Sequence, residues 1–130
     1  MHQPVTYLEL NSPDLDTSTR FFAGVFGWQV QPFAAPDYLV APHGEQPGID
    51  TALMPSRDGQ PRAIPVIRVA DLDAAIARVT DHNGKVVVQP FTIEDVGRGC
   101  YVVDPAGLLI GLHAYDGAVE TPGTGLRPGA

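Results

Sequence analysis

Two stretches of the chain carry apolar residues at steps of three or four, the spacing of one face of an α-helix: Leu15, Phe22, Val25 and Phe26, then Leu72, Ala75, Ile76 and Val79. Each stretch opens on Asp-Leu-Asp, at Asp14-Leu15-Asp16 and Asp71-Leu72-Asp73. An aspartate beside a helix start accepts a bond from otherwise unpaired N–H groups and suits the positive end of the dipole. Gly27 and Gly84 follow the last periodic residues, where a left-handed residue that ends a helix costs least as glycine. Both segments are therefore predicted as amphipathic helices lying on a core. Their signals share one offset, since 71 − 14 and 84 − 27 are both 57. The chain contains an internal repeat.

Strand-like runs at residues 5–10 and 64–69 precede the two helices, and short runs broken by Pro and Gly follow them, at 28–33, 38–41 and 49–54, then 85–89, 99–103 and 108–114. The order strand, helix, three strands occurs twice. It predicts an α+β domain over residues 1–116 built of two βαβββ modules, 4–55 and 63–115, with a hinge at 56–62. Residues 117–130 are rich in Gly, Pro and Thr with little to bury, and a disordered tail without function is expected there. Side chains alternate along a strand. Val5, Tyr7 and Glu9 share one face of the first strand, Ile64, Val66 and Arg68 one face of the fifth, and Leu109, Gly111 and His113 one face of the last.

Composition narrows the function classes. The chain has 130 residues, 44% hydrophobic and 18% charged, enough to bury one real core. A net charge of −7 argues against nucleic acid and anionic membranes as partners, because both recruit clustered Lys and Arg. No apolar run approaches the roughly 20 residues that span a bilayer. The single Cys100 has no partner for an internal disulfide, and the sequence after Met1 carries neither a basic segment nor a long apolar run, so a cytoplasmic location is expected. There is no phosphate-cradling glycine loop, HExxH, nucleophile elbow or CxxC. Gly97-Arg98-Gly99 is too short for a phosphate loop, and Cys100 lies in a predicted strand with no adjacent His, as expected of an inert core thiol.

Several segments together resemble the vicinal oxygen chelate superfamily, which contains glyoxalase I, extradiol dioxygenases, fosfomycin-resistance enzymes and bleomycin-resistance proteins. They are Phe21-Phe22 with Val25-Phe26-Gly27-Trp28, Val69-Ala70-Asp71-Leu72-Asp73-Ala74-Ala75, Gly97-Arg98-Gly99 and Asp104-Pro105-Ala106-Gly107, within about residues 4–115. The resemblance implies paired βαβββ modules forming a curved mixed sheet around a cleft, often completed in a homodimer. It also implies where a divalent metal would be held, on the first and last strand of each module. Those family positions fall at Tyr7, near Ala52, at Ile64 and at Gly111. A catalytic divalent ion needs two or three converging N or O ligands, so no metal ligand is assigned and no cofactor is expected.

The remaining candidates lie on the cleft faces. Glu9 and His113 each stand two residues from a family ligand position on the same face, and qualify as an acid/base pair or as ligands of a displaced metal. The alternative is that Glu9 pairs with Arg68 or Arg98 and His113 is partly solvated near a strand end. Tyr7, Trp28, Tyr38 and Tyr101 are candidates for an aromatic ligand surface or for ordinary core. Arg68 near the cleft rim and Arg98, read as a loop residue above the cleft mouth, complete the ligand-binding candidates. The reading that follows is a glyoxalase-like protein binding a small, largely apolar organic molecule without the usual metal. Alternatives are a metal-dependent lyase or dioxygenase with displaced ligands, and a metal-free isomerase or hydrolase using Glu9 as base. A cavity filled by side chains, with the dimer surface or a protein partner carrying the role, is the third.

Overall fold

A computed structural model describes residues 2–126. Its elements are β1 (Val5–Ser12), α1 (Leu15–Phe26), β2 (Gln31–Phe33), β3 (Ala35–Ala41), β4 (Asp50–Pro55), β5 (Arg62–Arg68), α2 (Leu72–Asp81), β6 (Lys85–Ile93), β7 (Gly97–Val103) and β8 (Leu109–Tyr115), then a 3-10 turn at Thr124–Leu126. Contacts divide these residues into two compact units, 7–64 with 120–126 and 2–6 with 65–119.

The two units repeat one topology. In the first, β1 pairs parallel with β4, β4 antiparallel with β3, and β3 antiparallel with β2. In the second, β5 pairs parallel with β8, β8 antiparallel with β7, and β7 antiparallel with β6. The parallel closing pair is possible because a helix carries the chain back across the sheet before the last strand returns beside the first.

The helix starts follow the repeated aspartates. Asp14 accepts from the Thr17 N–H at 3.1 Å and Asp71 from the Ala74 N–H at 3.0 Å. Gly27 ends α1 in the left-handed region, at φ 74°. At the end of α2 the expectation needs correcting, because the left-handed residue is Asn83, at φ 69°. Gly84 is required for a different reason: a Cβ there would lie 2.8 Å from both the Val103 carbonyl oxygen and Val79 Cγ1.

The helices also differ in what they bury. In the second unit Leu72 at the start of α2 joins Val69, Cys100, Val102 and Leu112 in a buried cluster, with Ala75, Ile76 and Val79 packed against it. In α1 no residue is fully buried, and Phe21, Val25 and Phe26 are each more than half exposed. The expected packing of Val25 and Phe26 into the core is therefore not what the structure holds. Phe22 instead stacks on Trp28 with ring centroids 4.6 Å apart, and Phe21 and Phe26 lean on one another edge to face.

Residues 120–126 differ from the disorder expected after residue 116. Thr121, Pro122 and Gly123 are buried, and Thr124 accepts from the Glu120 and Thr121 N–H groups at 3.0 Å each. The rest of the expected tail, 127–130, lies outside the described residues.

Candidate functional site

Register decides which side chains share a face. Tyr7 lies opposite Asp50 and Glu9 opposite Ala52 across the β1–β4 pair, while Val40 lies opposite Ala52 across β3–β4. Tyr38, two residues before Val40, points the same way. Tyr7, Glu9, Tyr38, Val40, Asp50 and Ala52 therefore occupy one face of the first unit's strands, and α1 lies against the other with Leu10 and Leu53.

On that face three side chains form a hydrogen-bonded line. Tyr38 donates its hydroxyl proton to Glu9 Oε2 at 2.7 Å, and the Tyr7 and Tyr38 oxygens are 2.9 Å apart. A tyrosine has one O–H proton. Since Tyr38 gives its proton to Glu9, Tyr7 is the donor to Tyr38, and the line runs Tyr7 to Tyr38 to Glu9. Tyr7 is 0% and Glu9 2% exposed. Burial, followed by the nearby Glu9 charge, pushes the Tyr38 hydroxyl well above the usual phenol range, which keeps it protonated as the donor. The buried carboxylate is thus satisfied by a hydrogen bond, as the cost of burying it requires.

The matching face of the second unit's strands carries Arg68, opposite His113, with Gly99 and Tyr101 on β7 opposite His113 and Gly111. His113 is 2% exposed, so it is fully enclosed rather than partly solvated, and burial holds its imidazole down to about 4. It is neutral at pH 7. Its Nδ1 lies 2.6 Å from the Tyr115 hydroxyl, and the Arg68 guanidinium stands 5.8 Å from the centre of the Tyr115 ring. Gly99 leaves room for the imidazole, since a Cβ at 99 would lie 2.9 Å from His113 Cδ2.

The other candidates are engaged elsewhere. Trp28 packs on Phe22 of α1, on the opposite side of the first unit's strands from Glu9. Arg98 is a β7 residue, not a loop residue; strand alternation turns it away from Gly99 and His113, and its guanidinium meets Asp73 of α2 at 3.4 Å. Tyr101 stays on the His113 face beside Phe91, with ring centroids 6.0 Å apart. Tyr38 and Tyr115 were the residues underweighted from sequence, and the aromatic character of their strands was the only signal for them. A recess of about 330 Å³ also opens on the α1 side, lined by Leu10, Ser12, Phe22, Leu53 and Arg62 among others. Its one ionisable side chain, Arg62, is held by Asp58 in a two-pronged ion pair.

Metal ligation can be tested position by position. Tyr7 is committed to Tyr38, and Ala52 and Ile64 carry no donor atom. At Gly111 a Cβ would lie 3.0 Å from Val66 Cγ2 and 3.4 Å from the Tyr101 ring, so a carboxylate side chain there would press on both neighbours, and glycine itself offers no side-chain ligand. No group of three or more His, Cys, Asp or Glu suited to a metal ion occurs among the described residues. The four family positions do not fit the ion.

The family model described as the Glyoxalase/Bleomycin resistance protein/Dioxygenase superfamily matches residues 5–112. The chain belongs to this superfamily. Other superfamily proteins resemble it at a distance. The Mycobacterium tuberculosis protein named "Putative glyoxylase CFP32" is 29% identical over 116 residues, which cover 82% of this chain and 43% of that protein. The "Anthracycline biosynthesis protein DnrV" of Streptomyces peucetius is 30% identical over 127 residues, covering 78% of this chain and 43% of that protein. The chain thus spans less than half the length of these relatives. Among solved structures, methylmalonyl-CoA epimerase of Streptomyces coelicolor, in complex with 2-nitronate-propionyl-CoA, superposes with a TM-score of 0.65 at 20% identity, covering 94% of this chain and 100% of the epimerase. At that identity the likeness establishes the shared α+β fold of two βαβββ modules. No helix among the described residues is long and apolar enough to cross a membrane.

Proposed function

We propose that this glyoxalase-like superfamily member binds a small, largely apolar organic molecule on the sheet face that carries Tyr7, Tyr38 and Glu9, and does so without a divalent ion. The single observation carrying this reading is the buried line from Tyr7 through Tyr38 to Glu9. A carboxylate and two phenol oxygens fixed among apolar strand residues are the few placed polar groups that orient a ligand whose affinity comes from burial. The name of DnrV, given for anthracycline biosynthesis, supports the choice of flat organic molecules as probes.

The test is a thermal-shift titration with an anthracycline, a bleomycin and methylmalonyl-CoA. A ligand at 100 times its dissociation constant stabilises the fold by about 2.7 kcal/mol, and the shift is expected to fall in Tyr7→Phe and Glu9→Gln. Protein purified without chelator is expected to carry substoichiometric metal. Stoichiometric Zn, Ni, Fe or Mn that disappears in Glu9→Ala or His113→Ala would overturn the metal-free reading. We further propose a homodimer, checked by light scattering.

A second reading has one observation in its favour. A buried carboxylate 2.7 Å from a phenol that keeps its proton is arranged for metal-free proton transfer, with Glu9 as base. Glu9→Gln separates the two readings: it keeps measurable ligand affinity while abolishing any turnover.

A further inference from the structure

The segment after β8 reaches the same sheet face as the proposed ligand groups. Thr121 is 5% exposed and its hydroxyl donates to Asp50 Oδ2 at 2.5 Å, while Oδ1 of the same buried carboxylate accepts from the His43 N–H at 3.0 Å. Two residues on, Gly123 is pressed against that face. A Cβ there would lie 2.7 Å from Asp50 Oδ2 and 3.0 Å from Val40 Cγ1. Asp50 is the register partner of Tyr7, and Val40 lies opposite Ala52, itself the register partner of Glu9. The segment therefore lies against Asp50 and Val40, on the side of the strands that also carries Tyr7, Tyr38 and Glu9.

The segment is also shaped to lie there as a unit. Thr124 accepts from the N–H groups of both Glu120 and Thr121 and donates to the Thr121 carbonyl at 2.9 Å, closing a compact turn. The Thr121 bond to a buried carboxylate and the close approach of Gly123 to Asp50 and Val40 help hold this turn against the strands. Tyr7 and Glu9, on the same face of these strands, are closed to solvent.

We propose that residues 120–126 form a strap over the Tyr7–Tyr38–Glu9 face, latched by Thr121 on Asp50, which lifts to admit a ligand. The strap deepens the function proposed above and rests on that reading of the face as the ligand site. Gly123 is the residue that lets the strap lie flat, and Thr121 sets how often it opens.

Nitration by tetranitromethane, mapped to individual tyrosines by peptide mass spectrometry, tests the strap on the full chain. Thr121→Val keeps the side-chain shape and removes the hydroxyl donor to a charged acceptor, so opening should become about tenfold more frequent or greater. Nitration of Tyr7 and Tyr38 is expected to rise by that factor, with Tyr101 in the second unit unchanged as an internal reference. Gly123→Ala is expected to act in the same direction through a clash instead of a lost bond. Unchanged rates at Tyr7 and Tyr38 in both variants would overturn the strap, and so would an equal rise at Tyr101. A stopped-flow arm uses the dye 8-anilinonaphthalene-1-sulfonate, which should associate faster with both variants. If nitration responds while the dye binds none of the proteins, the strap stands and the reading of this face as a ligand site fails.

Discussion

Replacing Tyr38 by phenylalanine removes a single oxygen, yet that oxygen is the donor to a carboxylate with 2% exposure. Losing a hydrogen bond to a buried charge costs about 1.5–3 kcal/mol. Tyr38→Phe is expected to lose that much in urea unfolding, and Tyr7→Phe about 1 kcal/mol, since Tyr7 donates to a neutral partner. His113 makes a pH-dependent prediction. Its folded-state value of about 4 lies below the ordinary 6.5, so between these values the unfolded chain binds the extra proton and the folded chain does not. Stability attributable to His113 is fully present above pH 6.5 and is lost as the pH falls towards 4, by about 3 kcal/mol. The difference between wild type and His113→Gln in urea midpoint, measured from pH 7 to pH 4, should shrink accordingly. Strand alternation alone places Tyr7 and Glu9 on one face and His113 with Gly111 on another. Tyr38 is a different matter: it stands 29 residues from Glu9, and only the register of β3 on β4 and β4 on β1 brings the two together. Local periodicity carries no information about that pairing.

The two helices show where local signals succeed and where packing overrides them. Both Asp-Leu-Asp starts fold as read, because capping is settled within one turn of chain. Gly84 reads as a helix terminator and serves instead as a point of close approach to Val103 and Val79, a relation that no local pattern encodes. Gly84→Ala is accordingly expected to cost about 1–3 kcal/mol through overpacking. Asn83→Gly, at the position with the left-handed backbone, should change stability by a few tenths of a kcal/mol in the favourable direction. Paired urea curves for the two variants check both. Arg98 shows the same limit: extending β7 back to Gly97 turns its side chain towards α2, where Asp73 holds it. The exposed Phe21, Val25 and Phe26 were equally invisible to periodicity, which reports spacing and not whether a neighbouring element exists to cover each side chain.

Over the whole molecule, the 57-residue offset between the aspartates made the duplication legible, and both modules have the same strand pairing. The residue types at the family's metal positions, Tyr7, Ala52, Ile64 and Gly111, are plain in the sequence, whereas the close approach of Tyr101 and Val66 to Gly111 is not, because it depends on three strands meeting. The strap was hidden for a compositional reason. Seven residues containing few apolar side chains predict little burial, and what anchors them is a hydroxyl on a distant carboxylate together with the absence of a side chain at Gly123.

Trp28 is the only tryptophan and Cys100 the only cysteine, and they fall in different units. Indole fluorescence therefore reports the melting of the first βαβββ repeat, and thiol capture by a disulfide reagent reports exposure of the second, whose thiol is shielded and raised in pKa by burial. The boundary between the units falls within β1 and β5. The two reporters are expected to trace one coincident denaturation curve. A tryptophan transition that precedes thiol capture would mean that the first repeat unfolds by itself.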